Sequence, residues 1–343
     1  MKTHQAVLLI ALILFGSCVK PNPIWSTYNP PATYVFNNVN DSAQVAVLDT
    51  LDNLSNNVNA ANTSGRVVSA QVLQNILSHV SAYTSTAAAA DLQAYTDSIA
   101  LYSASTATAS NGVAGRAGGY LFSPGGVVYG SLIQGTLISG ILTYSIDRYL
   151  VDSVANGIDN STVVPGYGTA MEHHWDEAFG LFGVPNGFPN YVQGVRYIGN
   201  FSNLIDKGQA FSTPLMTAFL TGRAAITHKD YGTKQTQVSA ILAALEQLEA
   251  AAALHELNQA DAAVASSQMQ AAMADVSTAL GFIRGLSYET VASRIITDVQ
   301  IAQLETMVGY NLYNFVGNTT QESQVRALLG EVYGFTSTQM AAF

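Results

Sequence analysis

Apolar side chains recur at three- and four-residue spacing along most of this chain, and this spacing restricts the fold more than any other feature. In the segment 42–59, for example, Leu48, Leu51 and Leu54 fall on one side of a helix. The polar–apolar alternation that is typical of strands is nearly absent. The same reasoning predicts helices over 42–59, 67–79, 87–102, 127–155, 170–182, 212–227, 236–258, 261–284, 288–314 and 321–333.

Short connections join these helices, so the sequence predicts an all-α protein built as an antiparallel helical bundle. The segment 127–155 is apolar on most sides, which is typical of a helix at the centre of a bundle. The glycine-rich segment 110–126 and the segment 156–168 are predicted loops. The length also allows two fused four-helix-bundle-like halves, at about 33–190 and 191–343.

The N-terminus has the features of a bacterial lipoprotein signal. The apolar run 6–15 is too short to span a membrane as a helix and fits the hydrophobic region of a signal peptide. Two small residues precede Cys18, the single cysteine, at the position where lipoprotein signal peptidase cleaves and lipid is attached. An ordinary secretory signal with a chance cysteine is the alternative. We predict a signal peptide at 1–17, a lipidated tether at 18–32 and a helical domain at 33–343 in an outer-membrane lipoprotein, facing either the periplasm or the outside.

Charge limits the partners of this protein. Only 10% of the residues are charged, and the formal net charge is −10. Binding to nucleic acid needs clustered Lys and Arg, so the acidic balance argues against a nucleic-acid partner. An acidic surface also disfavours attachment to anionic lipid, which leaves the lipid on Cys18 as the predicted contact with the membrane.

One short segment, 171–183, concentrates groups that can bind a metal ion, with two of the six histidines and three carboxylates. On a helix, His173 and Glu177 are four residues apart and His174 and Glu177 are three apart, so each imidazole can approach the carboxylate. Nitrogen and oxygen ligands suit iron, zinc or manganese. We predict that a divalent or ferric ion, iron or zinc, is bound by His174 and Glu177, with His173 and Asp176 as partners.

A single His–Glu pair is only half of a metal site, so further groups must come from elsewhere in the chain. The candidates for the rest of the cleft are His255, Glu256, His228 and Arg223. Arg223 could bind a carboxylate through two hydrogen bonds, or it could be a cation that complements the dipole at a helix C-terminus. His255 could equally be a hydrogen-bonded structural residue.

A structural interpretation of the segment 171–183 also stays open. Trp175, Phe179 and Phe182 form one apolar stripe, and His173 and Glu177 lie on about the opposite side of the helix. If only the stripe is buried, the His–Glu pair is a solvated ion pair worth about 0.5 kcal/mol. Ion binding therefore requires this short helix to be enclosed on both sides.

Several runs of residues resemble a family of uncharacterised Gram-negative lipoproteins over essentially the whole mature chain. They are Tyr-Val-Phe-Asn-Asn-Val at 34–39, Val-Ser-Ala-Gln-Val-Leu at 68–73, His-Trp-Asp-Glu-Ala-Phe-Gly at 174–180, Gly-Arg-Ala-Ala-Ile at 222–226 and Lys-Asp-Tyr at 229–231.

This family is similar in turn to the imelysin-like proteins. That resemblance implies an all-helical fold of two bundle-like halves, a Gly-x-His-x-x-Glu motif in the cleft between them, and an association with iron uptake. His174 and Glu177 match the His-x-x-Glu part of the motif, whereas Glu172 stands in place of its glycine.

The leading hypothesis is therefore a non-enzymatic binding lipoprotein of the cell envelope that holds a metal ion or a small metal-bearing ligand in a cleft between bundles. One alternative is a metal-dependent, peptidase-like hydrolase in which Glu177 is the general base. Another is a structural partner of an outer-membrane uptake complex or transporter, which would present a broad exposed apolar patch.

Overall fold

A computed structural model describes residues 28–289 and 294–343 of the chain. Most of these residues are helical, which confirms the predicted all-α class. The α-helices are α1 Ser42–Ala60, α2 Ala70–Ser78, α3 Thr86–Ser103, α4 Tyr129–Leu137, α5 Tyr144–Arg148, α6 Ala170–Phe182, α7 Tyr197–Ile205, α8 Ser212–Thr227, α9 Tyr231–Ala265, α10 Met269–Gly285, α11 Asp298–Val308, α12 Leu312–Phe315, α13 Thr319–Tyr333 and α14 Ser337–Ala342.

Apolar spacing and capping explain the first helices. Leu51, Leu54 and Val58 of α1 are buried along one side of the helix. The hydroxyl of Ser85 accepts a hydrogen bond from the backbone N–H of Ala88, which satisfies one of the free N–H groups in the first turn of α3. The predicted limits of α1 and α3 are therefore correct to within one residue at each end.

The predicted buried helix at 127–155 is present, but it is not a regular α-helix. The π-helical turn Ile138–Thr143 joins α4 to α5, and a second π-helical turn, Tyr149–Ser153, follows α5. Every residue of the first π turn is buried. π-helical turns are rare, and those that do occur are often found at functional sites.

Helices α4, α9 and α10 form the centre of the bundle. The short turn at 266–268 joins α9 to α10, which pack side by side and so run antiparallel. Close approach of α10 to α4 depends on Gly281 and Gly135, because a Cβ at Gly281 would lie 2.2 Å from the carbonyl oxygen of Leu132.

One continuous hydrophobic core includes residues from both predicted halves of the chain. Helix α9 has the length and composition to cross a membrane, but 61% of its most apolar window is buried inside the protein. Burial of this extent is typical of the central helix of a bundle.

The prediction of an irregular loop at 110–126 is wrong in part. Strand β1, Gly115–Ala117, pairs antiparallel with strand β2, Tyr120–Phe122. Gly118 and Gly119 connect them with φ angles of 56° and 86°, and a two-residue hairpin turn needs this left-handed conformation.

The predicted break between 258 and 261 is also wrong, because α9 continues to Ala265. Asn258 and Asp261 look like capping residues in the sequence, but both are used in tertiary contacts. The side-chain amide of Asn258 donates to the carbonyl oxygen of Met340, and Asp261 forms an ion pair with Arg326.

The predicted single helix at 288–314 is likewise not observed. Residues 288 and 289 are not helical, and the described residues 294–314 contain α11 and the first part of the short α12. Gly309, with a φ of 65°, ends α11. Helices α7 and α14 were not predicted. Helix α14 is too short to show a clear apolar period, whereas α7 does show one, with Ile198, Phe201 and Ile205 at helical spacing.

Candidate functional site

Helix α6 is fixed at both ends by local interactions. The hydroxyl of Thr169 accepts a hydrogen bond from the N–H of Glu172 at 3.2 Å, and the Glu172 carboxylate accepts one from the N–H of Thr169 at 3.0 Å. At the other end, Gly183 adopts a left-handed φ of 75°. The sequence therefore sets the limits of α6, and with them which of its side chains share a face.

The predicted aromatic stripe of α6 faces the core. Trp175, Phe179 and Phe182 are all buried. The indole N–H of Trp175 donates to the carbonyl oxygen of Phe219 in α8 at 3.0 Å, and the ring of Phe179 stacks on Tyr34 with the centroids 3.5 Å apart. Helix α6 is therefore held between α8 and the segment that precedes α1.

Asp176 lies on the buried side of α6. Its Oδ1 is 2.8 Å from Nε of Arg223 and accepts a hydrogen bond from the hydroxyl of Tyr34 at 2.7 Å. Burial raises the pKa of Asp176 to about 6, although Arg223 and the Tyr34 hydroxyl oppose the rise. Nη1 of Arg223 also donates to Oε1 of Glu172 at 2.8 Å. Two of the predicted site residues, Asp176 and Arg223, thus form a buried ion pair that joins α6 to α8.

His173, His174 and Glu177 come together on the other face of α6, and we call these three side chains the histidine site. Nδ1 of His174 is 2.7 Å from Oε2 of Glu177, and Nε2 of His173 is 3.8 Å from Oε1. The exposed fractions of the three side chains are 24% for His173, 33% for His174 and 14% for Glu177. The histidine site is therefore half-buried, and solvent can reach it.

Two residues from distant parts of the chain complete the surroundings of Glu177. The side-chain amide of Gln44 in α1 donates to Oε1 at 3.0 Å, and the hydroxyl of Tyr149 in the second π turn donates to the same oxygen at 3.3 Å. The ring of Tyr149 is nearly parallel to the imidazole of His174, with centroids 6.0 Å apart. The polar face of α6 is thus covered in part by α1 and by the second π turn.

The surroundings of His173 favour its neutral form, and those of Glu177 favour the ionised carboxylate. Burial lowers the pKa of His173, and His174 adds to the effect, while Glu177 opposes it. Burial raises the pKa of Glu177, but the hydrogen bond with His174 and the attraction of either imidazole when it is protonated outweigh this rise, so that the pKa of Glu177 lies below its usual value. These side chains bind metal ions as neutral imidazole and as ionised carboxylate.

The remaining candidates lie in other places. The ring of His228 stacks on Tyr28 with centroids 4.4 Å apart. Nδ1 of His255 in α9 is buried. The neighbouring Glu256 lies near Asp275 of α10, and burial together with that carboxylate raises the pKa of Glu256 to about 8.

No three His, Cys, Asp or Glu side chains within 28–289 and 294–343 are placed so that they could hold one metal ion. His228, His255 and Glu256 therefore do not complete the histidine site, and its own three groups do not yet converge on one point. The predicted lipidation residue Cys18 and the predicted signal peptide 1–17 lie outside the described residues.

Sequence reasoning misses Gln44, Tyr149 and Tyr34 as neighbours of α6. Each is distant from α6 along the chain, and its contact depends on how α1, the π turns and the N-terminal segment pack. Tyr34 does fall within the run 34–39 that carries the family resemblance, and this is the one sequence signal that marks it.

A family model covers most of the chain. A family model described as Domain of unknown function (DUF4856) matches residues 30–335. No curated protein and no solved structure matches the chain.

Proposed function

Because the chain belongs to the family described as Domain of unknown function (DUF4856), which supplies no activity, we propose from the histidine site that this protein binds a transition-metal ion in the cell envelope. The ion is iron or zinc, either free or carried by a small ligand. The protein is a binding lipoprotein attached to the outer membrane through lipid on Cys18.

One observation carries the proposal. Two imidazoles and one carboxylate of the same helix share a half-buried position, where Glu177 lies 2.7 Å from one ring nitrogen and 3.8 Å from the other. Nδ1 of His173 is also buried and forms no hydrogen bond with another described residue. Nε2 of the same ring faces Glu177, so it is the nitrogen that would bind the ion.

The donor set decides the class of ion. Two nitrogens and one carboxylate suit zinc or iron better than the hard, oxygen-seeking calcium ion. For both imidazoles and the carboxylate to bind one ion, the side chain of Glu177 must turn away from Gln44 and Tyr149. The ion then takes the place of the proton in the hydrogen bond between His174 and Glu177. The open side of the site leaves further positions for water or for groups of a carried ligand, as in zinc sites that keep an open position.

Two sequence features support the wider proposal. The apolar run 6–15 followed by Cys18 supports export and lipid attachment. The match of His174 and Glu177 to the His-x-x-Glu part of the imelysin-like motif supports an affiliation with proteins associated with iron uptake.

Calorimetric titration of the chelator-stripped protein with Zn(II) and with Fe(II) tests the histidine site. We expect one ion to bind per chain, and we expect the double variant His174→Ala/Glu177→Ala to weaken binding by about a hundredfold or more, because two of three ligands are lost. The matched control is His79→Ala, which removes an exposed histidine at the end of α2. The proposal would be overturned if neither Zn(II) nor Fe(II) binds. It would also be overturned if the double variant and the native protein bind the ion with equal affinity.

Metabolic labelling with palmitate tests the anchor in the native host. The full chain should incorporate label, whereas Cys18→Ser should not, because the thiol is the attachment point of the lipid. Labelling of the Cys18→Ser chain, or absence of label from the native chain, would contradict lipid anchoring. The metal titration is independent of this result.

A further inference from the structure

A polar cleft of about 520 Å³ lies between α1, α4, α7 and α10, separate from the histidine site. This volume is in the range of small-molecule sites, which are usually about 300–1,000 Å³. The side chains that surround the cleft are carboxamides, hydroxyls, one ion pair and a few apolar groups. None of them belongs to α6, so the cleft presents a second and different chemistry.

One cation at the cleft is shared by two carboxylates. Nη1 of Arg196 lies 3.0 Å from Oδ2 of Asp52 and 2.7 Å from Oδ1 of Asp49. The hydroxyl of Tyr197 donates to the other oxygen of Asp52 at 2.8 Å. Both carboxylates approach the same nitrogen of Arg196, and together they carry more charge than the guanidinium, so the local charge disfavours an anionic ligand. Asp52 is engaged on both oxygens, so it does not offer a free carboxylate to a cation.

The remaining polar groups are available to a ligand. The side-chain amides of Asn59 and Asn200 form no hydrogen bond with another residue in the described part of the chain, and both residues are exposed at the cleft. Gln134 donates to the hydroxyl of Ser55 at 3.2 Å, which leaves its carbonyl oxygen free as an acceptor. Carboxamides offer donors and acceptors side by side. Such groups match ligand hydroxyls, which also donate and accept.

The wall formed by α7 supplies aromatic surface. Phe201 borders the cleft and packs edge-on against Phe282, with centroids 4.8 Å apart. Tyr197 begins α7 with a φ of 46°, a left-handed conformation that is costly for a bulky side chain. Strain of this kind persists where the surroundings enforce it, and it is concentrated at functional sites. Here the strained backbone conformation places the Tyr197 hydroxyl within hydrogen-bond distance of Asp52.

We propose that the polar cleft binds a neutral carbohydrate. Its hydroxyls pair with the amides of Asn59, Asn200 and Gln134, and an apolar face of the sugar ring rests on Phe201. The excess of carboxylate charge beside Arg196 disfavours sugar phosphates and uronic acids. The number of groups that both donate and accept favours a polyol over an apolar ligand, which would leave these amides unpaired.

Binding of uncharged saccharides to the full protein tests the inference. The probes are maltose, cellobiose, N,N′-diacetylchitobiose and a printed array of neutral oligosaccharides, and the methods are saturation-transfer NMR and calorimetry. We expect saturable binding of at least one neutral saccharide and no binding of glucose 6-phosphate. The double variant Asn59→Ala/Asn200→Ala should weaken that binding by about tenfold or more, because two hydrogen bonds to the ligand are lost.

The matched control is Asn56→Ala, which removes an exposed amide of α1 that does not border the cleft. This variant should bind the saccharide as tightly as the native chain. The absence of any neutral saccharide bound would overturn the inference, and so would an affinity that the double variant leaves unchanged. Tighter binding of glucose 6-phosphate than of the neutral probes would overturn it as well. These results are independent of metal binding, because no residue is shared with the histidine site.

Discussion

The guanidinium of Arg223 is 1% exposed, yet it binds the carboxylates of both Asp176 and Glu172. It also lies over the ring of Phe36, with its central carbon 5.0 Å from the centroid. One side chain thus joins the N-terminal segment, α6 and α8. Two buried opposite charges need not stabilise a protein, because the loss of hydration offsets their attraction. Loss of only one of them is costly, because the other stays buried without compensation.

We therefore expect Arg223→Ala to lower the free energy of unfolding by about 3–5 kcal/mol. Urea denaturation followed by circular dichroism measures this difference. Arg66→Ala, which removes an exposed arginine, should change the free energy of unfolding by no more than about 0.5 kcal/mol. Equal effects of the two substitutions would contradict a structural role for the buried ion pair.

Among single residues, the sequence predicts local pairs and misses distant ones. The approach of His173 and His174 to Glu177 follows from helical spacing alone, since residues three and four apart share a face. The hydrogen bond from Gln44 to Glu177 crosses 133 positions of the chain, and no periodic pattern signals it. The same limit applies to Asp176, because its pairing with Arg223 depends on how α6 packs against α8.

At the scale of elements, turns that depend on neighbouring residues can be predicted from the sequence. Polar residues whose partners lie far along the chain cannot. The pair Gly118-Gly119 is a recognised signal for a two-residue hairpin turn, so the short β1–β2 hairpin could have been predicted from it. Asn258 could not have been interpreted correctly, because its hydrogen-bond partners belong to the far C-terminus. The length of α9 therefore depends on contacts outside α9.

The π turns are a second feature that periodicity does not predict. The spacing of apolar residues over 127–155 indicates a buried helix, but it does not distinguish a regular turn from a widened one. In the first π turn, Gly140 lies so close to α3 that a Cβ would be 2.3 Å from the Cβ of Ala88. The second π turn carries Tyr149 to Glu177. Irregularity of the central helix thus contributes directly to the histidine site.

For the whole molecule, several carboxyl groups are buried or half-buried in the bundle. Burial raises the pKa of Glu249 to about 7 and that of Asp275 to about 6. Burial and the nearby Asp275 raise the pKa of Glu256 to about 8. The pKa of Glu289 lies well above its usual value, first because of burial and then because of Glu249 and other acidic neighbours. In the folded protein these groups therefore keep their protons to a higher pH than in the unfolded chain.

The sign of the resulting pH dependence follows from proton counts. Where the folded state binds more protons than the unfolded state, the free energy of unfolding falls as the pH rises. For Glu249, this stabilisation is complete below the pKa of the unfolded carboxyl and is lost as the pH rises through about 7. His173 acts in the opposite direction below about pH 6.5, because its folded pKa is lowered. The acidic groups with raised pKa values, which also include Asp176 and Glu322, outnumber the one histidine, so the net effect is a decline.

We expect the melting temperature to fall between about pH 6 and pH 8. In Glu249→Gln the decline should be shallower, and at about pH 8 this variant should be more stable than the native chain by about 1–3 kcal/mol, since its amide cannot ionise. Differential scanning calorimetry over this pH range measures both quantities. Glu331→Gln, at an exposed position, serves as the control and should leave the slope unchanged. A melting temperature that rises steadily toward pH 8 would contradict the expected protonation of the core.

The way in which the chain enters the bundle has a mechanical consequence. Tyr28 stacks on His228, and Tyr34 is wedged against Phe179 with its hydroxyl on Asp176. Both contacts precede α1 along the chain, so a pulling force applied at the N-terminal side acts on them first. We expect these contacts to break before α1 unwinds.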